Sequence, residues 1–67
     1  MEELTPKEQE VLQCLVKGSS NYEIAQELAI SFHTVKAHLS SIYRKLEVDN
    51  RVQATCKAIL CADKYLK

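Results

Sequence analysis

The sequence predicts an all-α fold of four short helices around one core, and three observations carry that prediction. Apolar residues recur at steps of three and four, most plainly at Val35, Leu39, Ile42 and Leu46. Residues that start and stop helices bracket such runs, with Thr5-Pro6 ahead of the first and Gly18 behind it. Alternating β-branched runs are scarce, and one Gly and one Pro are too little punctuation for a succession of strands and turns. The chain of 67 residues is expected to be one domain, 1–67, which must make do with a small core. A composition 46% hydrophobic and 27% charged places it among globular rather than disordered chains.

The first helix opens on a capping box. Thr5 caps it, Pro6 takes the first helical position, and Glu8 reaches back to the Thr5 backbone. Val11, Leu12, Leu15 and Val16 form its buried stripe, which leaves Cys14 facing outward. Lys17-Gly18 ends it. The second helix is expected to start at Asn21 as N-cap, with Ile24, Ala25 and Leu28 inward. Ala29-Ile30-Ser31 is a tight turn, and Ser31 caps a third helix over Phe32–Leu46. The fourth runs from about Asn50 to Ala62, with Asp49 as its N-cap.

Net charge is zero, which taken alone argues against a nucleic-acid partner. The distribution says otherwise. All nine acids lie before residue 28 or after residue 46, so Ser31–Leu46 holds none while carrying Lys36, Arg44, Lys45, His33 and His38. No apolar run approaches the roughly 18 residues that span a bilayer, and no leader peptide is visible, so the cytoplasm is the expected location, with no membrane partner. Cys14, Cys56 and Cys61 form no Cys-x-x-Cys pair, and neither they nor the two His have metal-ligand spacing. Free thiols and no cofactor are expected. Cys14 beside a His would read as a nucleophile and base, but a chain with so little loop cannot enclose a substrate.

Two short helices joined by a tight turn are the unit that lays a second helix in the DNA major groove. Such a unit needs a small residue where its helices cross, which Ala25 supplies, and apolar residues to lock them, as Ile24, Leu28, Ile30 and Val35 do. Its turn often uses Gly; Ala29 stands there, at a cost of about 1 kcal/mol if it adopts a positive φ. Opposite the buried stripe of the third helix lie His33, Ala37, Ser40 and Arg44, flanked by Lys36 and Ser41. That face has no acid and a small middle, so it can approach base edges.

The blocks Leu4-Thr5-Pro6-Lys7-Glu8, Gly18-x-Ser20-Asn21-x-Glu23-Ile24-Ala25, Ile30-Ser31-x-x-Thr34-Val35-Lys36-x-His38 and Lys45-Leu46-x-Val48-x-Asn50-Arg51-x-Gln53-Ala54 resemble the LuxR/GerE-type helix-turn-helix domain. This is the output domain of NarL/FixJ-type response regulators and of quorum-sensing regulators. The resemblance spans nearly the whole chain. It implies a non-enzymatic transcription regulator whose third helix reads operator half-sites, with Lys36, Ala37 and Ser40 at the bases. Thr34, His38, Arg44 and Lys45 become candidates for the DNA backbone. Ser20 and Asn21 have two compatible readings, helix capping and phosphate contact.

The fourth helix carries two apolar faces. Ala54 and Ala58 suit close packing on the first and third helices, whereas Val52, Cys56 and Ile59 form a second stripe that one small core cannot also bury. The resemblance assigns this helix to dimerisation. Expected partners are therefore double-stranded DNA, a second copy of the chain and RNA polymerase. Two rivals remain: a sigma-factor-like promoter-binding domain, which His38 and Asn50-Arg51-x-Gln53-Ala54 do not suit, and a protein-interaction module that keeps the fold without DNA binding.

Overall fold

In the computed structural model, which describes residues 3–61, the four expected helices are α1 (Pro6–Val16), α2 (Asn21–Leu28), α3 (Phe32–Leu46) and α4 (Arg51–Leu60). Each starts on a side chain that accepts from the backbone N–H three residues on: Thr5, Ser20, Ser31 and Asn50. Two expected caps are thereby corrected by one residue. The cap of α2 is Ser20, because Glu23 stands three residues beyond it and closes a full capping box; Asn21 is already helical. The cap of α4 is Asn50 rather than Asp49, whose N–H instead donates to Gln53. Ala62, the expected end of the fourth helix, lies outside the described residues.

The first three helices stop in one way. Gly18, Ala29 and Glu47 adopt positive φ, at 92°, 55° and 58°. In each case the next N–H reaches back to the last turn: Ser19 to Cys14, Ile30 to Ala25 and Val48 to Tyr43, at 3.0–3.1 Å. Only the first site has the Gly that this conformation favours. Ala29 is exposed, so Ala29→Gly removes strain and loses no packing. It is expected to raise stability by about 0.5–1 kcal/mol, the relief in the left-handed region outweighing the greater chain entropy of Gly. A urea midpoint that fails to rise would show that the strain at Ala29 is no larger than the chain entropy that Gly adds.

The core follows the expected stripes with corrections: Val16, Ala25 and Leu28, expected inward, are only partly buried at its edge, and Leu4 joins it. Val11, Leu12, Leu15, Ile24, Val35, Ile42 and Leu46 are shut off from solvent, and Ala54 and Ala58 seat α4 against α1 and α3. Cys14, expected outside, is buried. The reason is that α1 packs against all three other helices, so its apolar arc is wider than one stripe. The Cys14 thiol donates to the Glu27 carboxylate at 3.1 Å, and Lys17 meets the same oxygen at 3.2 Å. Burial first, then Glu27, push this thiol up, which keeps it protonated and unreactive.

Glu8 is the one buried charged residue among those described. Its carboxylate accepts from the Thr5 N–H at 2.9 Å, the Ser41 hydroxyl at 2.6 Å and the Lys45 ammonium at 2.7 Å. Burial alone would push its pKa up. The hydrogen bonds from Lys45, Ser41 and Thr5 outweigh that and hold it at about 2. The α1 N-terminus is thereby bound to the last turns of α3.

Candidate nucleic-acid interface

The outward face of α3 begins one residue after a helix cap and ends in a cationic turn, Arg44-Lys45. Ser31 holds its start, accepting from the Thr34 N–H at 3.0 Å, with the Thr34 hydroxyl 2.8 Å away. At its far end Lys57 donates to the Leu46 carbonyl at 2.6 Å, a cation on the negative end of the helix. Because Val35, Leu39, Ile42 and Leu46 are all buried, the orientation of the helix is fixed. Lys36, Ala37, Ser40, His33 and Arg44 are consequently exposed together. The protein brings its smallest side chains to the middle of this face, with cations at the rim.

One side of the face meets the start of α2. Asn21, Lys36, Leu39, Ser40, Tyr43 and Arg51 line a groove of about 200 Å³ there. Arg51, on the first turn of α4, donates to the Asn21 side-chain oxygen at 3.0 Å and also to the Ser19 carbonyl. That leaves the amide N–H groups of Asn21 to serve as donors, beside the ammonium of Lys36 and the hydroxyl of Ser40. The Ser20 hydroxyl oxygen accepts from the Glu23 N–H, which is the capping role, and its O–H hydrogen is left to donate. On the other side of the face, Thr34 and His38 are half-buried.

Lys45 stands apart from the other sequence-derived candidates. Its side chain is only 10% exposed and its charge faces Glu8. Ser41, expected to flank the outward face, likewise turns inward to that carboxylate. Both shift for one reason, that a buried carboxylate collects every donor in reach.

Two features escaped the sequence reading. Arg51 had no role beyond its place in a motif, and no local signal could reveal one, since its partners lie about thirty residues away. The other is an aromatic pair beside the face: the rings of Tyr22 and Phe32 stack at 4.7 Å, and the Lys36 ammonium lies 5.9 Å from the Phe32 ring centre. Beyond α3, the second stripe of α4 is open to solvent. Val52 is 70% and Ile59 57% exposed, Cys56 is exposed, and Leu60, absent from the expected stripe, is the most exposed of all.

Residues 2–58 match the family described as bacterial regulatory proteins, luxR family. The chain belongs to that family. Its fold agrees closely with the solved structure of the transcription factor GerE, at a TM-score of 0.82 and 35% identity over 94% of both chains. It agrees equally with the response regulator ChrA of a heme-sensing two-component system, at 0.84 and 47%, over 90% of this chain but 30% of that one. In sequence it is 52% identical over 58 residues to the glycerol metabolism activator of Pseudomonas putida, covering 87% of this chain and 26% of the activator. The chain spans about a quarter of the length of the curated relatives it matches. LuxR-family helix-turn-helix domains are DNA-binding parts of transcription regulators, not enzymes. Among the described residues no helix is long and apolar enough to cross a membrane.

Proposed function

We propose that residues 1–67 act as one sequence-specific DNA-binding domain of a cytoplasmic bacterial transcription regulator, occupying operator half-sites as a dimer. In this reading α3 enters the major groove with Lys36, Ala37 and Ser40 at base edges. Ser20, Asn21, Thr34, His38 and Arg44 stand at the phosphates on either side, with Lys45 the least available because Glu8 holds it. The observation that carries the reading is the exposed face of α3, free of acids, with small residues in its middle. RNA polymerase is the further partner that such a regulator would address.

Counterion release tests the reading. A dimer neutralising about six to ten phosphates should lose three or more orders of magnitude in affinity between about 50 and 200 mM salt. Fluorescence anisotropy on a labelled duplex would read this out. An affinity indifferent to salt would sink the DNA reading and favour a protein-interaction module.

The dimer rests on the exposed α4 stripe of Val52, Cys56 and Ile59, which Leu60 extends. A two-fold axis through it would set each stripe against its copy and space the recognition helices about 34–36 Å apart, one turn of DNA. Ile59→Arg is expected to keep the monomer folded, since Ile59 lies outside the core, and to remove cooperative binding to paired half-sites. Cooperativity retained by that variant would rule α4 out as the interface.

A further inference from the structure

We propose that Phe32 positions Lys36 for reading the bases, with the Tyr22 ring stacked on it to hold it in place. The proposal rests on the reading of α3 as the DNA-facing helix and adds to it a residue that sets specificity without being the one that reads.

Three observations converge. Phe32 and Lys36 are four residues apart on α3 and so share one flank of the helix. The Lys36 ammonium stands 5.9 Å from the ring centre, within the distance at which a cation is drawn to an aromatic face. The Phe32 ring is itself restrained from α2, where Tyr22 stacks on it at 4.7 Å and 31°. Neither ring belongs to the core: Tyr22 is 71% exposed and Phe32 half-buried, so the pair lies at the surface beside the outward face. No acid on α3 competes for the ammonium, and among the described residues no carboxylate pairs with it.

A lysine needs such help more than an arginine does. Its ammonium is a compact charge on a flexible four-carbon stem, with no planar fork to fix a direction. Left to itself, Lys36 would sweep over several bases and the nearby phosphates. Drawn toward the ring, it is confined to the α2 side of the face, at the groove it shares with Asn21, Ser40 and Arg51. The packing of α2 on α3 thus reaches the bases through two rings and one cation.

The test begins in the free protein. The Lys36 ε-methylene protons should lie upfield under the ring current of Phe32 and return to their ordinary position in Phe32→Leu. Unshifted protons in the wild-type chain would overturn the proposal without reference to DNA. A preferred duplex is then selected with the wild-type chain from a randomised pool, and the base pairs where Lys36→Ala loses discrimination are identified. At those pairs Phe32→Leu should lose about two- to five-fold in discrimination. Phe32→Trp, which keeps an aromatic face, should retain it; thermal melts confirm that both variants fold. In the Lys36→Ala background the Phe32→Leu effect should vanish. Full discrimination in Phe32→Leu, or an effect that persists without Lys36, would overturn the positioning role while leaving the DNA reading intact. A wild-type chain that selects no sequence would overturn both.

Discussion

Ser40→Glu is expected to abolish DNA binding while leaving the melting temperature unchanged. Ser40 is exposed at the middle of α3 and lines the groove with Lys36, Asn21 and Arg51. Glu is a good helix former at an exposed position, so the fold has no reason to suffer. On DNA, however, the new carboxylate would stand in the field of the phosphates, where juxtaposed like charges cost several kcal/mol. A loss of about 3 kcal/mol is roughly a hundredfold in affinity. Ser40→Ala makes the control, because it keeps the small middle of the face and adds no charge. Anisotropy titrations of both variants decide the matter: if Ser40→Glu binds within a few-fold of wild type, α3 does not lie in the groove.

The second large effect is predicted at Glu8, far from that face. Removing one partner of a buried ion pair leaves the other charge uncompensated, and Glu8→Ala is expected to cost about 3–5 kcal/mol. At about 0.05–0.15 kcal/mol per residue, that is a large share of the stability of so small a domain. The same group sets the acid limit. Its folded pKa of about 2 lies below the ordinary 4.5, so its contribution is complete above pH 4.5 and is lost as pH falls toward 2. At about 1.4 kcal/mol per unit the loss approaches 3 kcal/mol. Urea melts from pH 7 down to 2 should show this slope in the wild-type chain and a much flatter one in Glu8→Gln. Equal slopes would show that other carboxylates govern acid unfolding.

The proposed binding face and the acid limit are thus built from the same helix. Through Lys45 and Ser41, α3 is tied to α1, and through Val35, Leu39, Ile42 and Leu46 to the core. What is left over is the row of side chains offered outward. A mutation at Glu8 can therefore weaken DNA binding by loosening the helix, and only the melting curve separates that from a lost contact.

Features that depend on near neighbours are legible in the chain of residues. Thr5 and Glu8 closing a capping box, Ser31 starting α3, and the buried stripe of α3 all span three or four residues, the reach of one helical turn. The outward face of α3 followed from that stripe, and the exposed stripe on α4 from Ala54 and Ala58 in the same way. The caps of α2 and α4 were missed by one residue because Ser20-Asn21 and Asp49-Asn50 each offer two adjacent capping side chains, and local pattern does not rank them. The remaining features come from the packing of the helices. Cys14 turned inward because α1 has neighbours on three sides, which no single helical wheel can show. Lys45 went to Glu8 across 37 residues of chain, and Arg51 to Asn21 across 30. Charge alone makes Lys45 look like a phosphate ligand; a buried carboxylate within 2.7 Å gives its ammonium a desolvated partner inside the fold, and such a partner exists only once the helices have packed.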